Sequence, residues 1–396
     1  MGDQEQIVLS VANALETVDP LAWDACANPG GDIPYNPFTS YSFLNALEKS
    51  GSATIDTGWA PYHLLLETPA GELAGCMPLY LKNHSQGEYI FDYGWADAFE
   101  RAGGRYYPKL LSAVPFTPAT GRRLLVNPHV NAPDAEEYLI AGCVEITKQL
   151  DVSSLHLNFL PEDQWQRLGQ HGFLRRMDQQ FHWENQDFDT FDAFLNALAS
   201  RKRKQIRKER KEALINDIEI EWVTGTDLTE AHWDAFFTFY IDTGSRKWGS
   251  PYLTRDFFSR INEALPDKTL LILAKREGRY IAGALNFIGG ETLFGRNWGC
   301  IEDHRCLHFE VCYYQAIDFA IAHGLKRVEA GAQGAHKLAR GYLPQETYSA
   351  HWIANESFRT AVSDYLENER SYVRRDVAAL SQHSPFKKIQ NIVTQD

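Results

Sequence analysis

The sequence contains two copies of one strand–turn–strand pattern, and this repeat constrains the fold more than any other feature. Residues 64–81 (LLLETPAGELAGCMPLYL) consist of two apolar runs separated by a turn at Gly71. Residues 271–288 (LILAKREGRYIAGALNFI) repeat the pattern around Gly278, and both second arms carry an Ala-Gly pair. Apolar runs bounded by turn residues predict antiparallel hairpins. The recurrence of the same hairpin indicates a duplicated unit.

Two further pairs of segments match between the two halves of the chain. In EYIFDYGWA (88–96) and ETLFGRNWG (291–299), Glu, Phe and Trp occupy identical offsets. Near the end of each half, a Gly-aromatic-Leu triplet precedes a His-Trp pair by the same interval, at 172–183 and at 341–352. Because both pairs occur in the same order around the same hairpin, duplication is a better explanation than chance.

Each half also contains a helix followed by a short strand, at 136–160 in the first half and at 308–330 in the second. The repeated unit therefore combines helices with a hairpin and further strands, which predicts an α+β fold around a mixed, mostly antiparallel sheet. No G-x-G-x-x-G segment follows a predicted strand, and the sequence has no Walker A segment. Dinucleotide-binding and P-loop folds are therefore poor explanations of this sequence.

The length of the chain predicts more than one domain. A chain of 396 residues exceeds what a single hydrophobic core usually spans, and 44% hydrophobic residues are enough to pack two cores. We predict an N-terminal domain at 1–186, a basic bridging helix at 187–216 and a C-terminal domain at 217–396. The alternating segment DIEIEWV (217–223) should open the sheet of the C-terminal domain.

One segment is strongly basic within an acidic chain. Apolar residues recur at helical spacing through 191–214, which predicts a single helix. Residues 201–211 hold eight basic residues and one acid, a net charge of +7, whereas the whole chain carries −13 and the remainder therefore −20. Such a helix attracts anions locally. Four of its cations are candidate polyanion-binding residues: Arg203, Lys204, Arg207 and Arg210.

The sequence leaves the anion open. Candidate ligands of the basic helix are tRNA, the phosphates of coenzyme A, a nucleotide-linked precursor and an acidic membrane. The overall negative charge argues against DNA as a partner. The alternative interpretation is a solvated helix that offsets acidic neighbours, because runs of charge usually form solvated faces.

The cysteines and the N-terminus bear on the compartment. Six cysteines follow no disulfide framework, which favours a reducing environment. The first residues lack the features of a signal peptide, and no apolar run is long enough to span a membrane, so we expect a cytoplasmic protein. Cysteines and histidines cluster between Cys300 and Cys312, but their spacing matches no zinc motif, and no metal is expected.

Several motifs together resemble the FemAB-like family, a branch of the GNAT-type N-acyltransferases associated with peptidoglycan biosynthesis. Beside the basic helix they are GEYIFDYGWADAFE (87–100), YYPKLLSAVPFTPATGRRLL (106–125), KWGSPYLTRDFF (247–258) and GAQGAHKLARGYLP (331–344). The resemblance covers nearly the whole chain. It implies two tandem GNAT-like domains with a helical segment between them, and an enzyme that forms amides.

The resemblance does not fix the acyl donor. Fem-type enzymes take an amino acid from aminoacyl-tRNA, whereas GNAT enzymes take an acyl group from acyl-CoA. We expect acyl-CoA as the donor and a small molecule or peptide that carries an amine as the acceptor. The alternative is a Fem-type ligase that uses aminoacyl-tRNA and acts on a peptidoglycan precursor or a peptide. A third hypothesis is a non-catalytic protein that binds a glycopeptide, a nucleotide or a partner protein.

The segment GAQGAHKLARGYLP is the first candidate active site. Amide formation needs a neutral amine, an activated carbonyl and donors for the developing oxyanion. His336 can accept a proton near neutral pH, Lys337 can polarise a carbonyl, and Arg340 can clamp a phosphate or carboxylate. The resemblance matches Lys337 to a functional lysine in a late loop of Fem-like enzymes. The structural alternative is that His336 caps a turn and Arg340 holds the loop through an ion pair.

Three other segments supply candidate site residues. In YGWADAFE and the residues before it, Asp92 is the third candidate catalytic residue, as a base or as a ligand of the acceptor amine. The Gly-containing turn within 115–125 carries adjacent arginines that can hold the diphosphate of a donor, as a turn of the GNAT fold does. The segment 247–258 is interpreted as a substrate-lining loop. The candidate binding residues from these segments are Trp95, Arg122, Arg123, Lys247, Trp248 and Tyr252.

Overall fold

The computed structural model of the chain describes residues 7–246, 251–332 and 334–387. The elements of the first half follow in the order β1 (Val8–Ala12), α1 (Pro20–Ala27), α2 (Tyr41–Lys49), β2 (Trp59–Pro61), β3 (His63–Glu67), β4 (Leu73–Met77), β5 (Tyr80–Lys82), α3 (Tyr93–Arg101), β6 (Lys109–Ser112), β7 (Leu125–Val126), α4 (Ala135–Gln149), β8 (Ser154–Leu160), α5 (Glu162–Gln170) and β9 (Leu174–Glu184). The helices α6 (Phe191–Ala197) and α7 (Ser200–Ala213) connect the halves. The second half comprises β10 (Glu219–Thr224), α8 (Glu230–Arg246), α9 (Arg255–Ala264), β11 (Thr269–Arg276), β12 (Arg279–Ile288), β13 (Thr292–Cys300), α10 (Leu307–Phe309), α11 (Gln315–Ala322), β14 (Arg327–Glu329), β15 (Leu343–Ile353) and α12 (Glu356–Ser381).

Both predicted hairpins are confirmed. β3 pairs with β4 and β11 pairs with β12, each time in antiparallel orientation. The connecting turns place Gly71 at φ 82° and Gly278 at φ 75°, a region of backbone space that favours glycine. The two apolar runs of each hairpin therefore meet because the turn between them can close tightly.

The strands form a mixed architecture of two sheets. The smaller sheet has the order β1-β3-β4-β7, and the larger has the order β10-β11-β12-β13-β14-β9-β15-β8-β6-β5-β2. Most neighbours in the larger sheet are antiparallel, but β13 is parallel to β14 and β6 is parallel to β8. These two parallel pairs occupy equivalent places in the two halves. The predicted α+β class with a mixed sheet is confirmed.

The closing strands of the two halves are exchanged. β9, from the first half, pairs with β14 of the second half, whereas β15, from the second half, pairs with β8 of the first. β9 and β15 also pair with each other in a symmetric register, in which Leu174 faces His351 and Leu343 faces His182. The predicted domain boundaries divide the chain, but the sheet runs across them.

The predicted equivalence of 88–96 and 291–299 is wrong. The second segment belongs to the long strand β13, but in the first segment Tyr89 has a φ of 60° and helix α3 begins at Tyr93. The counterpart of β13 is instead β6. Each of these two strands pairs in parallel with the strand that follows the next long helical segment, which is β14 for β13 and β8 for β6. Three matching residue types at equal spacing do not show whether a segment is a strand or a helix. The match therefore aligned a strand with a segment that leads into a helix.

The prediction of a single helix through 191–214 is also wrong. α6 ends at Ala197 and α7 begins at Ser200, and the two residues between them are extended. The break is stabilised by the C-terminal segment, because Ala199 N–H donates to Pro385 O at 2.9 Å and Lys387 N–H donates to Ala197 O at 2.9 Å. These partners are remote in sequence, so helical periodicity cannot reveal the break.

Helices cover both faces of the larger sheet. On one face, α1, α2, α8 and α9 pack in a core that includes Phe38, Phe287 and Phe294. On the other face, α6, α7 and α11 pack in a core that includes Trp183 and Tyr314. Alternation of side chains along β11–β13 sends successive residues to opposite cores. Throughout the described ranges, every helix is too short or too polar to cross a membrane.

Candidate active site

A cleft opens where β13 and β14 separate. The two strands are paired only as far as Phe294 and Glu329, and β13 then continues to Cys300 while the chain after β14 turns away. The cleft has a volume of about 600 Å³, which suits a small substrate together with part of a carrier. Its walls come from both halves of the chain and include Tyr89, Pro118, Phe159, Asp178, Gln180, Tyr252, Arg296, Trp298, Gly331, Lys337 and Thr347.

Lys337 is the predicted catalytic residue that reaches this cleft. It belongs to the 3₁₀ helix Ala335–Arg340 and is only 4% exposed. Its Nζ donates to Gly331 O at 3.1 Å and to Ala330 O, two carbonyls of the segment that follows β14. Because burial disfavours the ammonium form, the pKa of Lys337 is lowered to about 8. An ammonium has three N–H donors, so one is left for a ligand in the cleft.

His336 and Arg340 do not line the cleft. Arg340 donates from Nη2 to Glu209 of α7 at 2.8 Å and from Nη1 to His336 O at 2.6 Å, and its guanidinium lies 3.5 Å from the ring centroid of Phe309. His336 Nε2 lies 3.0 Å from the hydroxyl of Tyr313, and burial with the neighbouring cations lowers the pKa of His336. Arg340 thus fastens the loop to α7, as the structural alternative proposed.

The exchanged strands supply polar cleft residues that the sequence analysis did not single out. Asp178 and Gln180 lie on β9, and Thr347 lies on β15 opposite Asp178. Partial desolvation raises the pKa of Asp178, and the Thr347 hydroxyl is buried without a hydrogen-bond partner among the described residues. No clear signal in the sequence marked these residues, because polar side chains occur throughout β9.

Two charged residues lie at the point where the strands part. Arg296 lines the cleft and donates from Nη2 to Phe116 O, and burial lowers the pKa of Arg296. Glu329, the last residue of β14, is 5% exposed, and burial raises the pKa of its carboxyl to about 7 against the opposing charge of Arg327. Glu329 Oε2 accepts no hydrogen bond from the described part of the chain. This carboxyl therefore changes charge near neutral pH.

Tyr252 lies in the cleft wall and stacks on Phe116, with ring centroids 4.8 Å apart. Both rings of this pair also line a second cavity of about 620 Å³, whose lining includes Trp59 and Tyr93. Tyr252 therefore borders both spaces. Lys247 and Trp248 lie outside the described residues, and their role stays a prediction.

Comparison with known sequences decides the family. The sequence profile of the FemAB-like family, described as peptidoglycan biosynthesis/recognition, matches residues 14–388. This chain belongs to the FemAB-like family. A search of curated proteins gave no match.

Solved structures agree with membership in the FemAB-like family. FemX is similar with a TM-score of 0.53 at 14% identity, and the match covers 87% of this chain and 98% of FemX. A conserved protein of unknown function from Bacteroides thetaiotaomicron is similar with a TM-score of 0.50 at 10% identity, covering 88% of this chain and 100% of that one. A tandem GNAT protein from the clavulanic acid biosynthesis pathway has a TM-score of 0.46 at 11% identity, covering 88% and 99%. The profile match confirms the predicted family, and the similarity to FemX, with a TM-score above 0.5, supports a shared fold.

In this FemAB-like chain, Asp92 and Trp95 belong to a buried cluster and do not line the cleft. Asp92 is 2% exposed and accepts hydrogen bonds from the Tyr106 hydroxyl at 2.6 Å and from Lys109 Nζ. Burial alone would raise its pKa, but the Lys109 ammonium holds the pKa of Asp92 well below its usual range. Trp95 packs edge-on against His351 at 5.0 Å between ring centroids. The cluster joins the first half to β15 of the second.

Arg122 and Arg123 are bound to carbonyl groups of the chain itself. Arg122 donates from Nη2 to Cys26 O at 2.8 Å and to Ala27 O at 2.9 Å. Arg123 is completely buried and donates to carbonyls within 119–122, and burial lowers its pKa to about 9. Neither arginine lines the cleft, although Pro118 of the same segment does.

The four predicted polyanion-binding residues divide between two sides of α7. Arg210 faces inward and pairs with the buried Glu310 at 2.9 Å. Arg207 pairs at the surface with an aspartate of α6 at 2.9 Å. Arg203 and Lys204 form no ion pair with any described carboxylate, and Lys204 is exposed. Arg210 is therefore held by the acids of the protein, Arg203 is half-buried beside α6, and Lys204 and Arg207 are exposed.

All six cysteines lie in the described part of the chain, and none of them forms a disulfide bond there. Cys26, Cys76 and Cys143 are buried, and the other three are half-buried. Within the ranges that the structure describes, no three side chains of the types that ligate metals come together in a metal-binding arrangement.

Proposed function

We propose that this chain transfers an acyl group, acetyl or aminoacyl, from an activated carrier to an amine, and that the reaction takes place in the cleft between β13 and residues 330–337. The main support for this proposal is the buried Lys337 ammonium in the cleft wall, which donates two of its N–H groups to backbone carbonyls. Membership in the FemAB-like family supports a transferase of acyl or aminoacyl groups. We propose acyl-CoA as the carrier and a small-molecule or peptide amine as the acceptor.

In the proposed reaction, the amine nitrogen attacks the carbonyl carbon of the carrier-bound acyl group. Negative charge develops on the carbonyl oxygen, and the third N–H of Lys337 stabilises it. The amine must lose a proton, and Asp178 is a carboxylate in the cleft lining that can accept it. Collapse of the tetrahedral intermediate forms the amide and expels the carrier, which takes up a proton as a thiol from CoA or as a ribose hydroxyl from tRNA.

Aminoacyl-tRNA is the second candidate carrier, because membership in the FemAB-like family supports transfer of aminoacyl groups as well as acyl groups. The connection after β13 does not discriminate between the two carriers. It carries Glu302 and Asp303, but Glu302 pairs with Arg276 at 2.9 Å and with Arg279 at 2.7 Å, so its negative charge is compensated.

Donor binding separates the two carriers. Thermal unfolding of the full-length chain should be measured with increasing acetyl-CoA and, separately, with aminoacyl-tRNA and deacylated tRNA. A donor that binds the native state raises its stability by about 2.7 kcal/mol at one hundred times its Kd. Stabilisation by acetyl-CoA, with transfer of its labelled acetyl group to an amine, is the result we expect. Stabilisation and transfer with aminoacyl-tRNA alone would assign the second carrier, and binding without transfer would support the non-catalytic hypothesis.

The substitution Lys337→Met tests the site itself. It removes the ammonium but keeps an unbranched side chain, so the fold should persist while turnover falls about one hundred- to one thousandfold, the usual effect of losing one oxyanion donor. His336→Gln is the matched control on the adjacent residue, and it should change turnover less than about tenfold. A fully active Lys337→Met enzyme would exclude the proposed role of this cleft wall. Thermal unfolding of both variants shows whether the fold is intact.

A further inference from the structure

The outer side of α7 carries a stripe of cations. Arg201, Lys204, Lys208 and Lys211 are all exposed and recur at intervals of three, four and three residues, which aligns them along one side of the helix. At 1.5 Å per residue the stripe is about 15 Å long. Lys208 approaches Glu212 at 3.6 Å, and none of the other three pairs with a carboxylate in the described part of the chain.

The opposite side of α7 fixes the orientation of this stripe. Ile206 and Ala213 are buried in the core. Arg210 pairs with Glu310 at 2.9 Å and with Asp318 at 2.7 Å. Because these contacts anchor the helix along its inner side, the cations cannot rotate towards the acids of the protein. The stripe is a permanent feature of the surface.

Exposed apolar residues follow directly at the end of the stripe. Leu214 is 42% exposed and Ile215 is 54% exposed, and they connect α7 to the strand β10. A row of cations beside exposed aliphatic side chains is the combination that peripheral proteins present to the interface of an anionic membrane.

The charge distribution of the protein favours a flat membrane surface over RNA as the ligand of α7. The basic segment 201–211 has a net charge of +7, but the rest of the chain carries −20, so only a ligand that touches this side alone avoids repulsion. Single-stranded RNA binds with bases stacked on aromatic side chains, and residues 200–215 contain none. Aliphatic residues at the end of the helix would also gain little from contact with RNA.

We propose that the outer side of α7 docks on an anionic membrane surface. The ammonium and guanidinium groups of the stripe meet lipid phosphates, and Leu214 and Ile215 enter the region between headgroups and acyl chains. The interaction needs no acyl donor or acceptor, so it stands independently of the proposed function. Because Glu209 of α7 binds Arg340, the docked helix adjoins the loop that carries Lys337.

Vesicle flotation with the full-length chain tests the docking. The protein should float with mixed phosphatidylglycerol–phosphatidylcholine vesicles at low salt, and should not float with phosphatidylcholine alone or at high salt. Combined substitution of Arg201, Lys204, Lys208 and Lys211 by Gln should weaken binding at least about one hundredfold, since each cation near the surface is worth about fivefold. The matched control has the same change in net charge on other elements, through Gln at Lys49, Arg101, Lys148 and Lys326, and should bind like the unaltered chain.

A second variant separates membrane from nucleic acid. Leu214→Ser with Ile215→Ser should weaken vesicle binding about tenfold or more, because aliphatic burial is lost, and should leave any binding of an RNA oligonucleotide unchanged. Far-UV circular dichroism confirms that each variant keeps its fold. The proposal is overturned if anionic vesicles do not bind, if the stripe variant and its control lose binding equally, or if RNA binds through the stripe while vesicles do not.

Discussion

At the scale of single residues, Lys337 shows how the environment sets the chemistry of a side chain. A lysine in water has a pKa of about 10.4. Burial in the cleft wall lowers the pKa of Lys337 to about 8, while the carbonyls of Ala330 and Gly331 still bind the ammonium form. The sequence identified this lysine through a family resemblance. It did not show that His336 and Arg340 point elsewhere, because the groups that hold them, Tyr313 and Glu209, are remote in sequence.

The lowered pKa predicts the alkaline limb of the pH–rate profile. If the Lys337 ammonium stabilises the oxyanion, kcat/KM should fall as pH rises through about 8, because the cation loses its proton there. In Lys337→Arg the falling limb should disappear from the range up to about pH 10, because a guanidinium stays protonated. The profiles of both enzymes should be measured with the same donor and acceptor. Lys148→Arg, on the surface of α4, is the control. An unchanged limb in Lys337→Arg would assign this pKa to another group.

At the scale of elements, α7 carries some cations that pair with buried acids and others that are exposed to solvent. The sequence treats its basic residues alike, but the fold turns Arg210 inward to Glu310 and leaves Arg207 and Lys204 outside. Burial raises the pKa of Glu310, and the opposing charge of Arg210 keeps the carboxylate form accessible. A buried acid of this kind depends on its partner, whereas an exposed ion pair contributes little.

This difference predicts unequal costs for two arginine substitutions on one helix. Arg210→Met leaves the completely buried Glu310 without its cation and should lower the free energy of unfolding by about 3 kcal/mol. Arg207→Met removes a pair whose side chains are 54% and 74% exposed and should cost less than about 1 kcal/mol. Urea unfolding followed by circular dichroism measures both. Equal costs would mean that the Arg210 ion pair is as solvated as the surface pair.

At the scale of the whole molecule, exchange of β9 and β15 joins the two halves. The central order β14-β9-β15-β8 alternates strands from the second and first halves. The cleft residues Asp178 and Thr347 lie on these exchanged strands, so the site depends on both halves of the chain. A substitution that disrupts either closing strand should therefore destabilise both halves and the site between them.

Strand exchange predicts that the two halves unfold together. Scanning calorimetry of the full-length chain should give one cooperative transition, with equal calorimetric and van't Hoff enthalpies. Ala350→Pro in the middle of β15 removes a ladder hydrogen bond and should lower the whole transition, at a cost of about 3 kcal/mol or more. Glu219→Pro at the start of the edge strand β10 is the control and should cost less. Two separate transitions, or a shift in only part of the signal, would contradict coupling of the halves.

The sequence by itself determined most local elements and the family. The two hairpins, the helix α4 and the strand β8 follow from apolar periodicity and turn residues, which report local conformation and buried faces. The family followed from motifs spread along the chain. Lys337 and Tyr252 were also predicted from sequence, and both line the cleft.

Only the tertiary structure decided which strands are neighbours, where α6 ends and which residues meet in the cleft. Periodicity shows which face of a strand is buried but not which strand lies beside it. The exchange of β9 and β15, and the cleft position of Asp178 and Thr347, therefore could not be predicted from the sequence. The same holds for Asp92 and Arg122, whose charges are bound by groups remote in sequence. These features depend on contacts between distant segments, which local sequence patterns do not encode.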